Sequence, residues 1–418
     1  MKQINLAKGI CSTSYLSKIE SNTTIPSEDI LSELLKRLKL EIKLTNEDEN
    51  KTMVTFYEFY KSSILEREPE SITEFLDKIS IQPIIFLELK NYCFFNLYLF
   101  RLMLILKDEP TQLKNIYSLI IDMQDNFDER QQFLFNLNIG LYHYHKYEYL
   151  DALKHLENSL KLINRTNVEE WEIADYHNVL SLAYLKTIDY FNAIKYATKN
   201  LLYYQENLLY KRAIDSYIVI GLSYKNMKKY EEAEKNYNMG LKLSSDYSPF
   251  EYEGIIYQNI GSLYAIQDNR DKAIEFYKKS LIKKERTDMS EGYLITVLSI
   301  VKEYSKHNNR EQVLKWCGIG LERISKDNEQ VNISKRSYYH HFKIYTYLHG
   351  SSEDLIEELQ RSIKHFEKIG DYRHEQKYSI FLANKYFEDN KLAAACQFYQ
   401  KSNNVLLKQK TITDWEDL

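Results

Sequence analysis

One spacing constrains this chain more than any other: a small residue, or the position equivalent to one, recurs about every 40 residues. Gly140, Ser181, Gly221, Gly261, Val301, Lys343 and Ala383 stand 41, 40, 40, 40, 42 and 40 apart. Three residues after each come His143, Tyr184, Tyr224, Tyr264, Tyr304, Thr346 and Tyr386. Twelve after each come Ala152, Ala193, Ala233, Ala273, Val313, Leu355 and Ala395. Two columns held in phase over seven units describe one supersecondary element repeated. A small residue in a first helix lets a second helix approach closely. The aromatic one turn later fills the groove between them, and the alanine of the second helix receives that packing. Each pair buries only part of its apolar surface, so it must stack on its neighbours.

Composition agrees with long helices and few connections. The 418 residues contain only 11 Gly and 5 Pro, too few for the tight turns of a β-rich fold. With 44% hydrophobic and 28% charged residues the chain is an ordinary globular one. The units resemble the tetratricopeptide repeat, built as Leu-Gly-x-x-Tyr then Ala-x-x-x-Phe/Tyr. The third shows it in Ile220-Gly221-Leu222-Ser223-Tyr224 and Lys229 to Glu234, the fourth in Asn259 to Tyr264 and Asp268 to Ala273. The family unit is about 34 residues, shorter than this one. The first, fifth and sixth units are degenerate at His143, Val301 and Lys343. Before Phe133 the pattern weakens, and Ile84–Leu106 and Thr111–Met123 read as one or two further helix pairs. The stretch Cys93–Leu106 is apolar but carries Asn96 and Arg101 and is shorter than the roughly 20 residues a membrane span needs. It reads as a buried helix. No signal-peptide pattern is visible, and the expected setting is the cytoplasm with no membrane partner. Cys11, Cys93, Cys317 and Cys396 form no CxxC pair and read as buried small apolar residues of a reducing compartment.

The first 40 residues carry a different pattern. Gln3–Lys8 predicts a short helix that Gly9 ends. Ser12 or Thr13 can cap a second helix running to Glu20. Ser27 caps a third, with Ile30, Leu31, Leu34, Leu35 and Leu38 at helical spacing. Leu6, Ala7, Ser14, Tyr15, Leu16, Ser17, Ile19 and Glu20 match the phage-repressor-type helix-turn-helix. That resemblance implies that Ser12–Lys18 enters a DNA major groove, with Ser12, Thr13, Ser14, Tyr15 and Lys18 as contact residues. The family domain opens with a helix upstream of Gln3, so the motif reads as truncated. Leu6, Leu16, Ile19 and Leu31 are then expected to lose part of their cover. Residues 41–52, acidic and polar, read as a linker, 53–407 as the repeat domain and 408–418 as a tail. The expected fold is all-α: a truncated helix-turn-helix followed by a right-handed α-solenoid of tetratricopeptide-like helix pairs.

A helix-turn-helix followed by 40-residue repeats resembles the RRNPP family of Gram-positive peptide-pheromone receptors, and the NprR type most. The resemblance implies quorum sensing: the repeats bind a short signalling peptide, and DNA binding changes with it. It also implies double-stranded DNA as a partner, a homodimer or higher homo-oligomer, and a link to sporulation. The alternative it carries is a Rap-like receptor that binds a response-regulator protein through its repeats, with an inert helix-turn-helix.

An extended peptide has unpaired backbone donors and acceptors, and an asparagine amide meets both at once. Asn138, Asn178 and Asn259 fall on first helices and are the candidate peptide contacts. Tyr217, Gln258 and Lys225 are plausible neighbours, with Lys225 or Arg212 available for a carboxylate. Asn before Leu/Ile-Gly is also common in repeats that bind no peptide, so Asn138 and Asn259 weigh evenly between contact and packing. His143 and His145, and likewise His340 and His341, stand too close along a helix to face one another, so no metal site is expected. P-loop, GxGxxG and Ser-His-Asp patterns are absent from the sequence. The expectation is a non-enzymatic protein without a cofactor.

Overall fold

The computed structural model describes residues 2–20, 24, 26–38, 45–81, 84, 86–106, 110–247, 251–286, 290–326, 333–350 and 354–409. The described residues form helices and no strand. Three short helices open the chain: α1 (Gln3–Ala7), α2 (Thr13–Glu20) and α3 (Glu28–Leu38). Then come α4 (Asn46–Glu66), α5 (Pro69–Ile81), α6 (Leu89–Leu106) and α7 (Pro110–Met123). The seven periodic units are seven helix pairs: α8 (Glu129–His145) with α9 (Tyr149–Ile163), α10 (Glu170–Lys186) with α11 (Tyr190–Glu206), and α12 (Tyr210–Asn226) with α13 (Tyr230–Tyr247). There follow α14 (Glu251–Ile266) with α15 (Arg270–Arg286), α16 (Ser290–Lys306) with α17 (Arg310–Lys326), α18 (Ile333–His349) with α19 (Leu355–Ile369), and α20 (Tyr372–Glu388) with α21 (Leu392–Gln409). The chain divides into two compact units, Met1–Gly240 and Leu241–Leu418. That boundary falls inside α13, within the repeats, and not at the junction after the helix-turn-helix.

The two sequence columns do what their chemistry suggests, with partners the sequence reading missed. A Cβ added at Gly261 would lie 2.6 Å from Tyr277 Cδ1, and one at Gly140 would lie 2.8 Å from Leu156 Cγ. Gly221 meets Tyr237 in the same way. The glycine thus seats a large residue sixteen positions later, on the second helix. The aromatic column stacks on the residue twelve positions further on. Tyr184 lies on Tyr196 with ring centroids 5.7 Å apart, Tyr264 on Phe276 at 5.5 Å, and Tyr386 on Phe398 at 5.8 Å. In the first unit His143 stacks on His155 at 5.5 Å. The alanines Ala152, Ala193, Ala233 and Ala273 are fully buried between these layers.

The turn inside each pair is also repeated. The amide of Glu148, Asp189, Lys229, Asn269, Asn309 and Lys391 donates back to the carbonyl of His143, Tyr184, Tyr224, Tyr264, Tyr304 and Tyr386. This is the six-to-one closure of a Schellman ending, and it holds the preceding residue left-handed. Those residues are Tyr147 (φ 64°), Ile188 (69°), Lys228 (61°), Asp268 (58°), Asn308 (53°) and Asn390 (58°). A residue with a Cβ there costs about 1–2 kcal/mol, and a β-branched one such as Ile188 is the most strained.

Residues 41–44 of the expected linker, and 410–418 of the expected tail, lie outside the described residues. Residues 46–52 are the first two turns of α4. Thr45 and Asp48 form a reciprocal capping box there, each accepting from the other's amide at 3.2 Å. The acidic run is not uniformly solvated, because Glu49 is buried and accepts from the Leu87 amide at 2.7 Å and from Asn91 Nδ2 at 3.0 Å. Residues 408 and 409 continue α21.

Helix α6 is the centre of the first unit, with Leu97, Phe100 and Leu102 fully buried. By length and composition it could cross a bilayer, yet 56% of it is buried inside the unit. Its Arg101 forms an ion pair with Asp175 of α10 at 2.6 Å. Cys93 and Cys317 are buried as expected, Cys11 is half-buried, and Cys396 is exposed.

Candidate functional site

The helix-turn-helix closes on its own small core. Leu6, Ala7, Leu16 and Leu34 are buried together, flanked by Ile10, Cys11, Ile19 and Ile30. The expected loss of cover at Leu6 and Leu16 does not occur, because α3 folds over them; Ile19 and Leu31 remain half-buried. Gly9 takes the left-handed turn (φ 79°) after α1. The Arg37 guanidinium of α3 donates to the carbonyls of Leu6 (3.2 Å) and Lys8 and so satisfies the open C-terminal end of α1. Ser12 caps α2, its Oγ accepting from the Tyr15 amide at 3.0 Å. Ser12, Thr13, Ser14 and Lys18 are exposed and Tyr15 is half-buried. Four of the five candidate DNA contacts are thus exposed to solvent on or at the start of α2.

The peptide candidates of the first unit are mostly spent on packing. Asn138 is fully buried, and its Nδ2 donates to the Leu97 carbonyl of α6 at 2.8 Å. Asn178 is buried as well. Tyr217 is buried and accepts from Gln205 Nε2 at 3.0 Å. Arg212, expected to be available for a ligand carboxylate, is 1% exposed. It already holds an internal carboxylate, Asp175, at 2.7 Å, and the Tyr204 hydroxyl at 2.8 Å. Burial alone would raise the Asp175 pKa, but the Arg101 and Arg212 guanidiniums outweigh it and hold this carboxyl below the usual range. Lys225 is half-buried, and that burial lowers its pKa.

Helix α4 is fastened to the same first helices. The Tyr57 hydroxyl donates to Glu169 at 2.7 Å, Lys61 reaches Glu169 at 3.4 Å, and Arg67 pairs with Asp215 at 2.8 Å. The segment after the helix-turn-helix is thus part of the repeat packing, over sequence separations no local pattern could reveal.

The second unit is different. Gln258 and Asn259 of α14 line a cavity of about 500 Å³ with Ile255, Lys284, Glu291, Gly292 and Ile295. That size lies within the roughly 300–1,000 Å³ of ordinary ligand clefts. Gln258 Nε2 donates to Ser299 Oγ at 2.9 Å, while its Oε1 is buried without a partner. Asn259 Nδ2 donates to the Ile255 carbonyl at 3.1 Å. Lys284 is buried, and desolvation pushes its pKa down to about 8. Its ammonium donates to the Gly292 carbonyl at 3.0 Å and to Thr296 Oγ1 at 2.8 Å. Two amides, a cation, a carboxylate and two isoleucines around one cleft suit a short extended chain, with the polar groups fixing its backbone and the isoleucines covering its side chains.

The histidines have partners that neighbour-along-the-helix reasoning could not find. His143 faces Glu148 (Nδ1–Oε2 2.7 Å), not His145. The Asp151 carboxylate lies near both, so three donor groups of this turn fall within 4.8 Å of one another. In the second unit His340 pairs with Glu358 at 2.6 Å, His341 meets the Tyr378 hydroxyl at 2.5 Å, His365 meets Ser337 at 2.9 Å and His374 pairs with Asp371 at 2.7 Å. Burial, then the neighbouring His374 and Lys302, holds His341 well below its usual pKa.

A helix-turn-helix family model matches residues 1–44, and a tetratricopeptide-repeat model matches residues 214–247 and 255–281. The fold and its two modules define a helix-turn-helix protein carrying a tetratricopeptide array. The chain is 28% identical over 407 residues to the transcriptional activator NprA of Geobacillus stearothermophilus, covering 96% of this chain and 98% of that one. Among solved structures, the apo form of the quorum sensor NprR from B. thuringiensis has the same fold, with a TM-score of 0.65 at 17% identity, over 87% of this chain and all of that one. A Rap protein complexed with competence and sporulation factor matches with a TM-score of 0.64 at 15% identity, over 88% of this chain and all of that one. These likenesses, together with the two modules, fit a receptor of the RRNPP type.

Proposed function

We propose that this chain is a cytoplasmic quorum-sensing transcription regulator whose repeats bind a short signalling peptide and thereby control DNA binding by the N-terminal helices. The observation that carries the reading is the cleft on α14–α16. There Gln258 and Asn259 sit on a first helix beside an apolar lining, with an amide oxygen of Gln258 unspent. At the other end of the chain, the capped helix α2 presents Ser12, Thr13, Ser14 and Lys18 outward on a closed core. The regulator acts as a homodimer, since repressor-type motifs read paired half-sites about one duplex turn apart. It performs no catalysis and needs no cofactor.

The test uses the full chain and fluorescently labelled synthetic peptides of five to eight residues, taken from short reading frames beside the gene. Anisotropy should detect a binder, and Asn259→Ala with Gln258→Leu should weaken it about tenfold or more. Unchanged affinity in the double variant would remove the cleft as the site. A second arm titrates duplex DNA from the same region at two salt concentrations. Affinity that falls steeply with salt and shifts with peptide supports the regulator. The alternative is a Rap-like receptor that binds a response regulator through its repeats. It draws support from the likeness to the Rap fold, and a DNA arm without binding at either salt would favour it.

A further inference from the structure

We propose that the edge formed by the inner turns of the first two repeats is the surface through which two copies of this chain associate. The inference rests on the dimeric reading above and gives it a location. At the turn between α8 and α9 the left-handed residue is Tyr147, followed three residues later by Leu150. At the turn between α10 and α11 the same two places hold Ile188 and Phe191. They are 72%, 59%, 70% and 73% exposed. The equivalent places in the next three units hold Lys228 and Glu231, Asp268 and Asp271, and Asn308 and Glu311.

Two features make this edge unlike its counterparts. The left-handed position tolerates glycine and asparagine best, and the later units comply with polar residues there. Ile188 is the worst kind of side chain for it, and little burial offsets that, because most of the side chain faces solvent. The second feature is continuity. Both turns occupy the same place in adjacent pairs of the first unit, and packed helices lie about 8–10 Å apart. Side chains of this size each present about 150–250 Å² when fully exposed. At their observed exposures the four together offer on the order of 500 Å², against about 800 Å² per partner in a standard interface.

Charge selects the occupant. Lys146 and Lys186 stand at the ends of the first helices, and Glu148 with the exposed Asp151, and Asp189, at the starts of the second. The apolar strip therefore has a basic margin on one side and an acidic margin on the other. A two-fold axis through the strip lays the basic margin of one copy against the acidic margin of the other, the self-complementarity an isologous contact requires.

Sedimentation velocity of the full chain across a concentration series, without any peptide, tests this. Wild type should self-associate, and Ile188→Asn with Phe191→Ser should raise the dissociation constant at least tenfold. Ile188→Asn alone should keep or raise the melting temperature, since asparagine suits the left-handed turn, which separates loss of contact from loss of fold. Lys146→Glu with Lys186→Glu, and separately Glu148→Lys with Asp151→Lys, should each weaken self-association, and mixing the two variants should restore a heterodimer. A monomeric wild type, or an apolar variant that associates as wild type does, overturns the proposal. So do charge variants that fail to pair when mixed. Because no peptide enters the measurement, these outcomes leave the peptide cleft to its own test.

Discussion

Asn138 and Asn259 hold the same place in their repeats, two residues before the glycine of the first helix, and they do different work. In the first unit Asn138 is sealed under α6 and its amide adds a buried hydrogen bond to the Leu97 carbonyl of that helix. In the second unit Asn259 borders an open cleft and donates only to its own helix. The repeat position supplies the amide; the neighbouring helix decides whether it is structural or available. The charges are held differently too. The first unit buries Arg101, Asp175 and Arg212 as one ion-paired network, whereas the buried Lys284 beside the cleft of the second is held by the Gly292 carbonyl and Thr296 Oγ1.

The comparison can be broken by substitution. Asp175→Asn should have the largest effect, since it leaves two guanidiniums buried without a counter-charge. A loss of about 3–5 kcal/mol is expected in urea denaturation, and a loss below about 1 kcal/mol would show that the network is solvated. The pH dependence has a definite sign. The folded carboxyl titrates below its unfolded value, so its contribution is full above about pH 4 and disappears as pH falls through the depressed folded value. Urea denaturation midpoints of wild type and Asp175→Asn should therefore converge as the pH drops.

Asn138→Ala comes next. It removes a buried hydrogen bond to α6 and should cost about 0.5–1.5 kcal/mol with the secondary structure intact by circular dichroism. Ser12→Ala removes the cap of α2 and should cost about 1 kcal/mol locally. Hydrogen exchange should locate that loss at the first amides of α2, Tyr15 among them, with the repeats unchanged. Asn259→Ala should be the mildest for stability, within about 0.5 kcal/mol, although it is expected to weaken peptide binding. If Asn259→Ala proved as costly to the fold as Asn138→Ala, the contrast between the units would fail.

Much of the architecture was legible because it is written locally and repeatedly. The glycine and tyrosine columns set the phase of seven helix pairs. Ser12, Gly9 and the leucines of α3 outlined the helix-turn-helix. What escaped were relations between columns. The residue that fills each glycine notch lies sixteen positions on and is Leu156, Tyr237 or Tyr277, so no single letter marks it. The acidic run after the helix-turn-helix reads as a solvated linker until Glu49 is seen to cap the entry to α6. Adjacent histidines were judged against each other, while their partners lie 5 to 37 positions away.

The sequence alone determined the helical class, the register of the repeats, the turn positions and the presence of a helix-turn-helix. These follow from short-range periodicity, capping and sterics, each fixed within one or two turns of chain. Only the tertiary structure decided which asparagines are accessible, that Arg212 serves Asp175 rather than a ligand, and that α4 belongs to the repeat packing. Burial and ion pairing depend on which helices become neighbours. Asp175 meets Arg101 across 74 positions and Arg212 across 37, distances over which a side chain's identity says nothing about its partner until the helices have stacked.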